Sequence, residues 1–162
     1  MTATEPEAVG AGPSSDAVVD GKLGGYRVEQ APRVAIEYCT VRIIPDIERG
    51  ECLNVGVLVI CRPTRFLDVR ISLDADRLTA LAPWVDADDV ELIAAHLDSI
   101  QPICAGAPNG GPIAGLSLRE RWHWLTAPAS TVVQAGPIHT ALSAHPAAEL
   151  DRLFRRLVQL GR

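Results

Sequence analysis

Three apolar stretches separated by short turns lie between residues 36 and 73, and they constrain the fold more than any other feature. Residues 36–44 alternate apolar and polar side chains and end at Pro45. Residues 51–61 are expected to place their odd-numbered apolar residues on one face, and their second half is apolar on both sides, as in a doubly buried strand. Residues 66–73 alternate again. Together they predict an antiparallel meander.

The hydrophobic period changes to a helical one after residue 73. Asp74 is expected to cap a short helix, and Asp86 a second helix that ends at Pro102. Residues 105–112 have the composition of a loop. Ser117 and Glu120 have the spacing of a capping box, which opens a third helix.

The last part of the chain predicts one more strand and one more helix. Residues 130–134 are expected to form a fourth strand, and residues 146–160 a C-terminal amphipathic helix. The order of elements predicts the α+β class: an antiparallel sheet of about four strands, beginning with the three-strand meander and covered on one face by helices. The apolar stripe of the C-terminal helix consists of Leu150, Leu153, Phe154, Leu157 and Val158.

The length and charge of the chain limit how it can be organised. The 162 residues favour one core, and we expect residues 31–162 to form a single α+β domain. Residues 1–30 are rich in small, acidic and turn-forming residues, which predicts a disordered tail. A net charge of −5 lacks the basic footprint of a nucleic-acid binder. No apolar run approaches a membrane span and no signal peptide is recognisable, so the cytosol is the expected compartment.

The sequence contains no recognisable catalytic or metal-binding motif. Its four cysteines form no C-x-x-C pair and are expected to be reduced and buried. The acidic run at residues 86–89 is explained by helix capping more simply than by a metal. G-x-S-x-G, H-E-x-x-H and P-loop patterns are all missing, so no catalytic residue, metal or cofactor is predicted.

Arg49, Glu51 and Asn54 crowd the start of the second predicted strand. In a regular strand Glu51 and Asn54 point to opposite faces, so they form one constellation only if a bulge intervenes. Asn54 is expected to share a face with Gly56 and to need a partner there, either the backbone of a neighbouring segment or a ligand. Gly56 weakens a strand unless a helix or a substrate packs closely over it.

A Trp–His–Trp cluster lies on the third predicted helix. Trp122, His123 and Trp124, with arginines nearby, can stack a base or a nucleotide. Consecutive helical residues point in different directions, however, which favours one tryptophan packed on the sheet and the other at the rim. His96 lies off the apolar stripe of its helix and is expected to be solvated.

Four segments of the chain together resemble a bacterial family, domain of unknown function 3037. They are IEYCTVRIIPDIERGECLNVGVLVICR, RFLDVRISLDADRLTALAP, RERWHWLTAPASTVVQAGPIHTAL and HPAAELDRLFRRLV, of which RGECLNVGV and WLTAPASTVVQAGPIHT are the most specific. The resemblance implies no defined activity. Members are common in actinobacteria, and some are encoded beside HipA-like kinases, which implies such a kinase as a candidate partner.

The resemblance also nominates binding residues. Those that match the family pattern are Arg49, Glu51, Asn54, Arg121 and Gln134. The family usually has Arg where this chain has Ala129 and Phe where it has Trp122, and the first departure puts an Arg-centred active site in doubt.

Three kinds of function are consistent with the sequence. The first is a non-catalytic accessory or protein-interaction domain, with a HipA-like kinase as a possible partner. The second is a regulatory domain that binds a small ligand or nucleotide. The third is an enzyme of unrecognised type, with Glu51 as a general base.

Overall fold

Five strands form one antiparallel sheet in the computed structural model, which describes residues 31–159. The first three strands pair as the predicted meander, in the order β3-β2-β1. Both remaining strands pair with the free side of β1, one against residues 41–43 and the other against residues 34–38. The strands are β1 Val34–Ile43, β2 Leu53–Cys61, β3 Phe66–Ile71, β4 Val133–Ala135 and β5 His139–Ser143. The α+β class is confirmed, and β5 is an addition to the predicted strands.

The helices begin where the capping residues predict. Asp74 accepts a hydrogen bond from the backbone of Arg77, and both Asp86 and Ser117 form complete capping boxes. The helices are α1 Ala75–Leu81, α2 Ala87–Asp98, α3 Ile100–Ala105, α4 Gly111–Ala114, α5 Leu118–Leu125 and α6 Pro146–Leu157, with a 3₁₀ turn at Pro108–Gly110.

Pro102 does not end a helix, contrary to the prediction. α2 ends at Asp98, and α3 begins at Ile100, so Pro102 falls in the first turn of α3. A proline is tolerated there because the first backbone N–H groups of a helix have no partner within the helix. The predicted loop at residues 105–112 also contains the 3₁₀ turn and the start of α4.

Helices cover both faces of the sheet, so the prediction of one covered face is wrong. On one face, called here the α6 face, Leu150 and Leu153 of α6 pack on Val57 and Val59. The opposite face, called the multi-helix face, forms a larger core with residues from α1, α2, α3 and α5. β2 lies between the two cores, which confirms that its second half is buried on both sides.

A β-bulge interrupts the pairing of β1 with β2. Val41 pairs with Gly56 and Arg42 pairs with Asn54, so Val55 is an extra residue on β2. The bulge reverses the alternation of side chains along β2 at this point.

The bulge corrects two predictions about β2. Leu53 packs into the multi-helix core while Val57 packs into the α6 core, so the odd-numbered residues do not share one face. Asn54 lies on the α6 face and Gly56 on the multi-helix face, so these two do not share a face either.

Neighbouring strands approach Gly56 closely. A Cβ atom placed on Gly56 would lie 2.8 Å from the carbonyl oxygen of Arg70 and 3.2 Å from the Cβ of Val41. The close packing expected at this glycine is therefore supplied by β1 and β3, and neither a helix nor a ligand is needed to explain it.

The predicted disordered tail at residues 1–30 lies outside the described residues, and the single domain over residues 31–162 stays a prediction. Within residues 31–159, none of the helices is both long enough and apolar enough to cross a membrane.

We expect Gly56→Ala to lower the free energy of unfolding by about 1–3 kcal/mol, because the new methyl group overlaps a backbone oxygen that cannot move freely. Urea denaturation followed by circular dichroism measures this change. Gly115→Ala is the matched control, since its Cβ would meet nothing closer than 3.4 Å. Equal stabilities for the two variants would contradict the packing described at Gly56.

Candidate functional site

A groove runs between α2 and the segment at residues 127–133 and is called here the α2 groove. It consists of an inner cavity of about 320 Å³ and an outer cavity of about 560 Å³. The two cavities share His96, Thr131 and Val133 in their walls, so they form one continuous depression. This size is within the range of protein sites that take a small molecule or a few side chains of a partner.

The α2 groove exists because α2 carries apolar residues on two sides. Ile93 and Leu97 are buried in the multi-helix core. Leu92 and His96 are four positions apart, project from the same side of the helix and line the groove. His96 is exposed, as predicted, and it also contributes to both cavities.

Large apolar side chains are exposed around the outer cavity. Trp84 is 53% exposed and Leu92 is 70% exposed, and Ile47 and Val132 line the same cavity. Trp124 is half-exposed beside the inner cavity. Single exposed apolar residues are ordinary, whereas a contiguous exposed group of them is typical of surfaces that bind a protein or a ligand.

The rim of the α2 groove is acidic. Asp46 and Glu51 border a small depression beside Trp84, and Asp89 lines the outer cavity. Among the described residues, Arg49 supplies the cationic side chain at this rim. Three carboxylates against one guanidinium give this end of the groove a negative potential.

Arg49 and Glu51, two of the candidate residues, meet at this rim. Their side chains form an ion pair at 2.8 Å, and the Arg49 guanidinium lies 5.7 Å from the centre of the Trp84 ring. Both side chains are about half exposed, so the pair contributes little to stability. An exposed, ion-paired carboxylate does not favour Glu51 as a general base.

Asn54 and Gln134 flank Arg42 on the α6 face. Arg42 pairs with both residues in the strand register, which places their Cα atoms about 10 Å apart. The Asn54 amide donates to the carbonyl of Leu157 at 3.3 Å, and the Gln134 amide donates to the carbonyl of Thr131 at 2.7 Å. The Asn54 amide thus fixes the C-terminal end of α6, and the Gln134 amide fixes Thr131 in the wall of the α2 groove.

Arg121 caps the end of a helix. Its guanidinium donates to the carbonyls of Ile103 and Cys104, at 2.9 and 2.6 Å, at the C-terminus of α3. Gly106 follows in the left-handed conformation and makes room for that guanidinium. The five candidates therefore occupy three places, and Arg121 joins neither of the two pairs.

The tryptophans of α5 divide as predicted. Trp122 is buried in the multi-helix core, and Trp124 lies at the rim. Ala129 lines the inner cavity and adds an apolar side chain to its wall.

The cysteines divide into buried and exposed. All four are free, and Cys39, Cys61 and Cys104 are buried as predicted. The prediction is wrong for Cys52, which is exposed because it precedes β2. Burial raises the pKa of both Cys39 and Cys104 to about 12. Among residues 31–159, no three His, Cys, Asp or Glu side chains gather as metal ligands.

These features define a class: an α+β domain with a doubly covered antiparallel sheet and an apolar groove with an acidic rim. The chain belongs to the family described as Protein of unknown function (DUF3037), whose family model matches residues 38–158. Neither the curated proteins nor the solved structures give a significant match. The matched range includes the α2 groove and all five candidate residues.

We expect Arg121→Ala to lower the free energy of unfolding by about 1–3 kcal/mol, because two carbonyls at the end of α3 lose their donor. Chemical denaturation measures the loss. Arg119→Ala, an exposed position on the same helix, should change stability by less than about 0.5 kcal/mol. An Arg121→Ala variant as stable as Arg119→Ala would show that the cap is dispensable.

Native alkylation should modify Cys52 and spare the other three cysteines. Near pH 8 only an exposed thiol gives an accessible thiolate, since Cys39 and Cys104 hold their protons up to a pKa of about 12. Peptide mass spectrometry after iodoacetamide treatment reads the sites, with urea-unfolded protein as the fully labelled control. Fast native labelling of Cys104 would contradict its burial.

Proposed function

We propose that this protein is a non-catalytic interaction domain that binds a cytosolic protein partner through the α2 groove. The observation that carries the proposal is the exposure of Trp84 and Leu92 beside a 560 Å³ cavity. Leaving apolar surface in water costs about 25 cal/mol per Å², and a partner that covers it recovers this free energy. Tryptophan and arginine, which meet here as Trp84 and Arg49, are also the residue types enriched at binding hot spots.

The rim indicates the chemistry of the partner. The carboxylates of Asp46, Glu51 and Asp89 favour a segment that carries lysine or arginine beside its apolar side chains. The groove follows one side of a helix and opens at the surface, which suits an amphipathic segment with two or three apolar anchors. A HipA-like kinase is the first partner to test, because the family resemblance associates the two.

The inner cavity supports a second candidate, a small apolar ligand. Val41, Leu58 and Trp124 line it, and none of the described residues in its wall is a lysine or arginine that could meet a phosphate. A hydrophobic metabolite therefore suits this cavity better than a nucleotide. Thermal-shift screening tests this candidate, with Ala129→Phe as the variant that fills the inner cavity and leaves the outer one open.

We expect Leu92→Lys to weaken partner capture by about tenfold or more, because it places a charge at the centre of the apolar surface. The tagged full chain, incubated with a HipA-like kinase or with cytosol of the source cell, is compared with the variant by quantitative mass spectrometry. Leu116→Lys, at an exposed leucine outside the groove, should capture as the wild type does.

Two results would overturn this proposal. One is a partner that binds Leu92→Lys and Leu116→Lys equally well. The other is binding that strengthens as salt is raised, since screening of the acidic rim should weaken the attraction for a basic segment.

A further inference from the structure

The two outer edges of the sheet differ, and charged side chains occupy the edge formed by β3. The Asp68 carboxylate accepts from the backbone N–H of Val69 at 2.9 Å, and Arg70 donates to the carbonyl of Val69 at 3.2 Å. Asp68 is also bonded to Gln101 of α3, and Arg70 to Asp151 of α6. Charged side chains that occupy an edge in this way discourage pairing with another strand.

Within residues 31–159, no charged side chain occupies the β5 edge in this way. β5 pairs with β1 on one side, and its sequence, HTALS, contains no aspartate, glutamate, lysine, arginine or proline. Leu142 is 66% exposed and Ile138, just before the strand, is 48% exposed. A neutral edge strand beside exposed apolar side chains is a template for a further strand.

We propose that two copies of this chain associate through antiparallel pairing of their β5 strands, which joins two sheets into one. A two-fold axis at Ala141 sets Thr140 of each copy opposite Leu142 of the other, and His139 opposite Ser143. No like charges oppose each other in this register, and each Leu142 gains a neighbouring methyl group. The edge is therefore complementary to itself, which favours a second copy over a foreign strand.

This interface is separate from the α2 groove and goes beyond the proposed function. β5 pairs with residues 34–38 of β1, whereas the inner cavity of the groove is lined by Val41 near the other end of that strand. The dimer leaves the groove open, so each copy can still bind a partner.

Sedimentation velocity of the full chain from roughly 1 to 100 µM tests the pairing, since two five-residue strands form a small interface and small interfaces bind weakly. The wild type should shift from monomer to dimer with concentration. Leu142→Lys should raise the dimer dissociation constant by about tenfold or more, because each lysine adds a charge to the neutral edge. Leu92→Lys, an equally exposed leucine in the groove, should dimerise as the wild type does.

A double variant tests the register itself. In Thr140→Asp with Leu142→Lys, the introduced lysine of each copy opposes the introduced aspartate of the other, so the dimer should return. The inference is overturned if the wild type stays monomeric over the whole range, if Leu142→Lys dimerises normally, or if the double variant stays monomeric. Leu142→Lys should retain partner capture and Leu92→Lys should lose it, so failure of one proposal is distinguishable from failure of the other.

Discussion

The bulge at Val55 determines how the two sides of the sheet are built. One extra residue in β2 lets Leu53 join the multi-helix core and Val57 join the α6 core. The same shift turns Asn54 towards α6, where its amide meets the carbonyl of Leu157. Without the bulge, Asn54 would point into the larger apolar core and need a partner there.

α6 depends on this arrangement at its C-terminal end. The last carbonyls of a helix have no partner within it, and here Asn54 and Arg77 donate to the carbonyls of Leu157 and Val158. The helices on the other face cover most of the larger core. They leave a gap between α2 and residues 127–133, and Trp84 and Leu92 are exposed along it. The scaffold is therefore closed on the α6 side of β2 and open along one groove.

Local patterns predicted the parts of the fold that depend on local physics. The alternation of apolar and polar residues predicted the three strands of the meander. Asp74, Asp86 and Ser117 predicted where three helices begin, because a capping residue acts on backbone groups within four residues of it. The bulge depends on the partner strand, and β5 is short and almost without alternation. Neither therefore had a strong local signal.

The candidate site was predictable only in part. Arg49 and Glu51, polar residues at the start of the second predicted strand that also match the family pattern, lie at the rim of the α2 groove. The partners of Asn54 and Arg121 are backbone carbonyls distant in sequence, which no local pattern reveals. The sequence does contain one indication of the groove: Leu92 is an apolar residue that lies outside the buried apolar stripe of α2.

Binding through the α2 groove is tested most directly by a hydrogen–deuterium exchange footprint of the full chain with and without its captured partner. Binding in the α2 groove should slow exchange in α2 and in residues 127–133, with little change in α6. Protection confined to α6 or to β3, with α2 exchanging as in the free protein, would contradict the α2 groove as the binding surface.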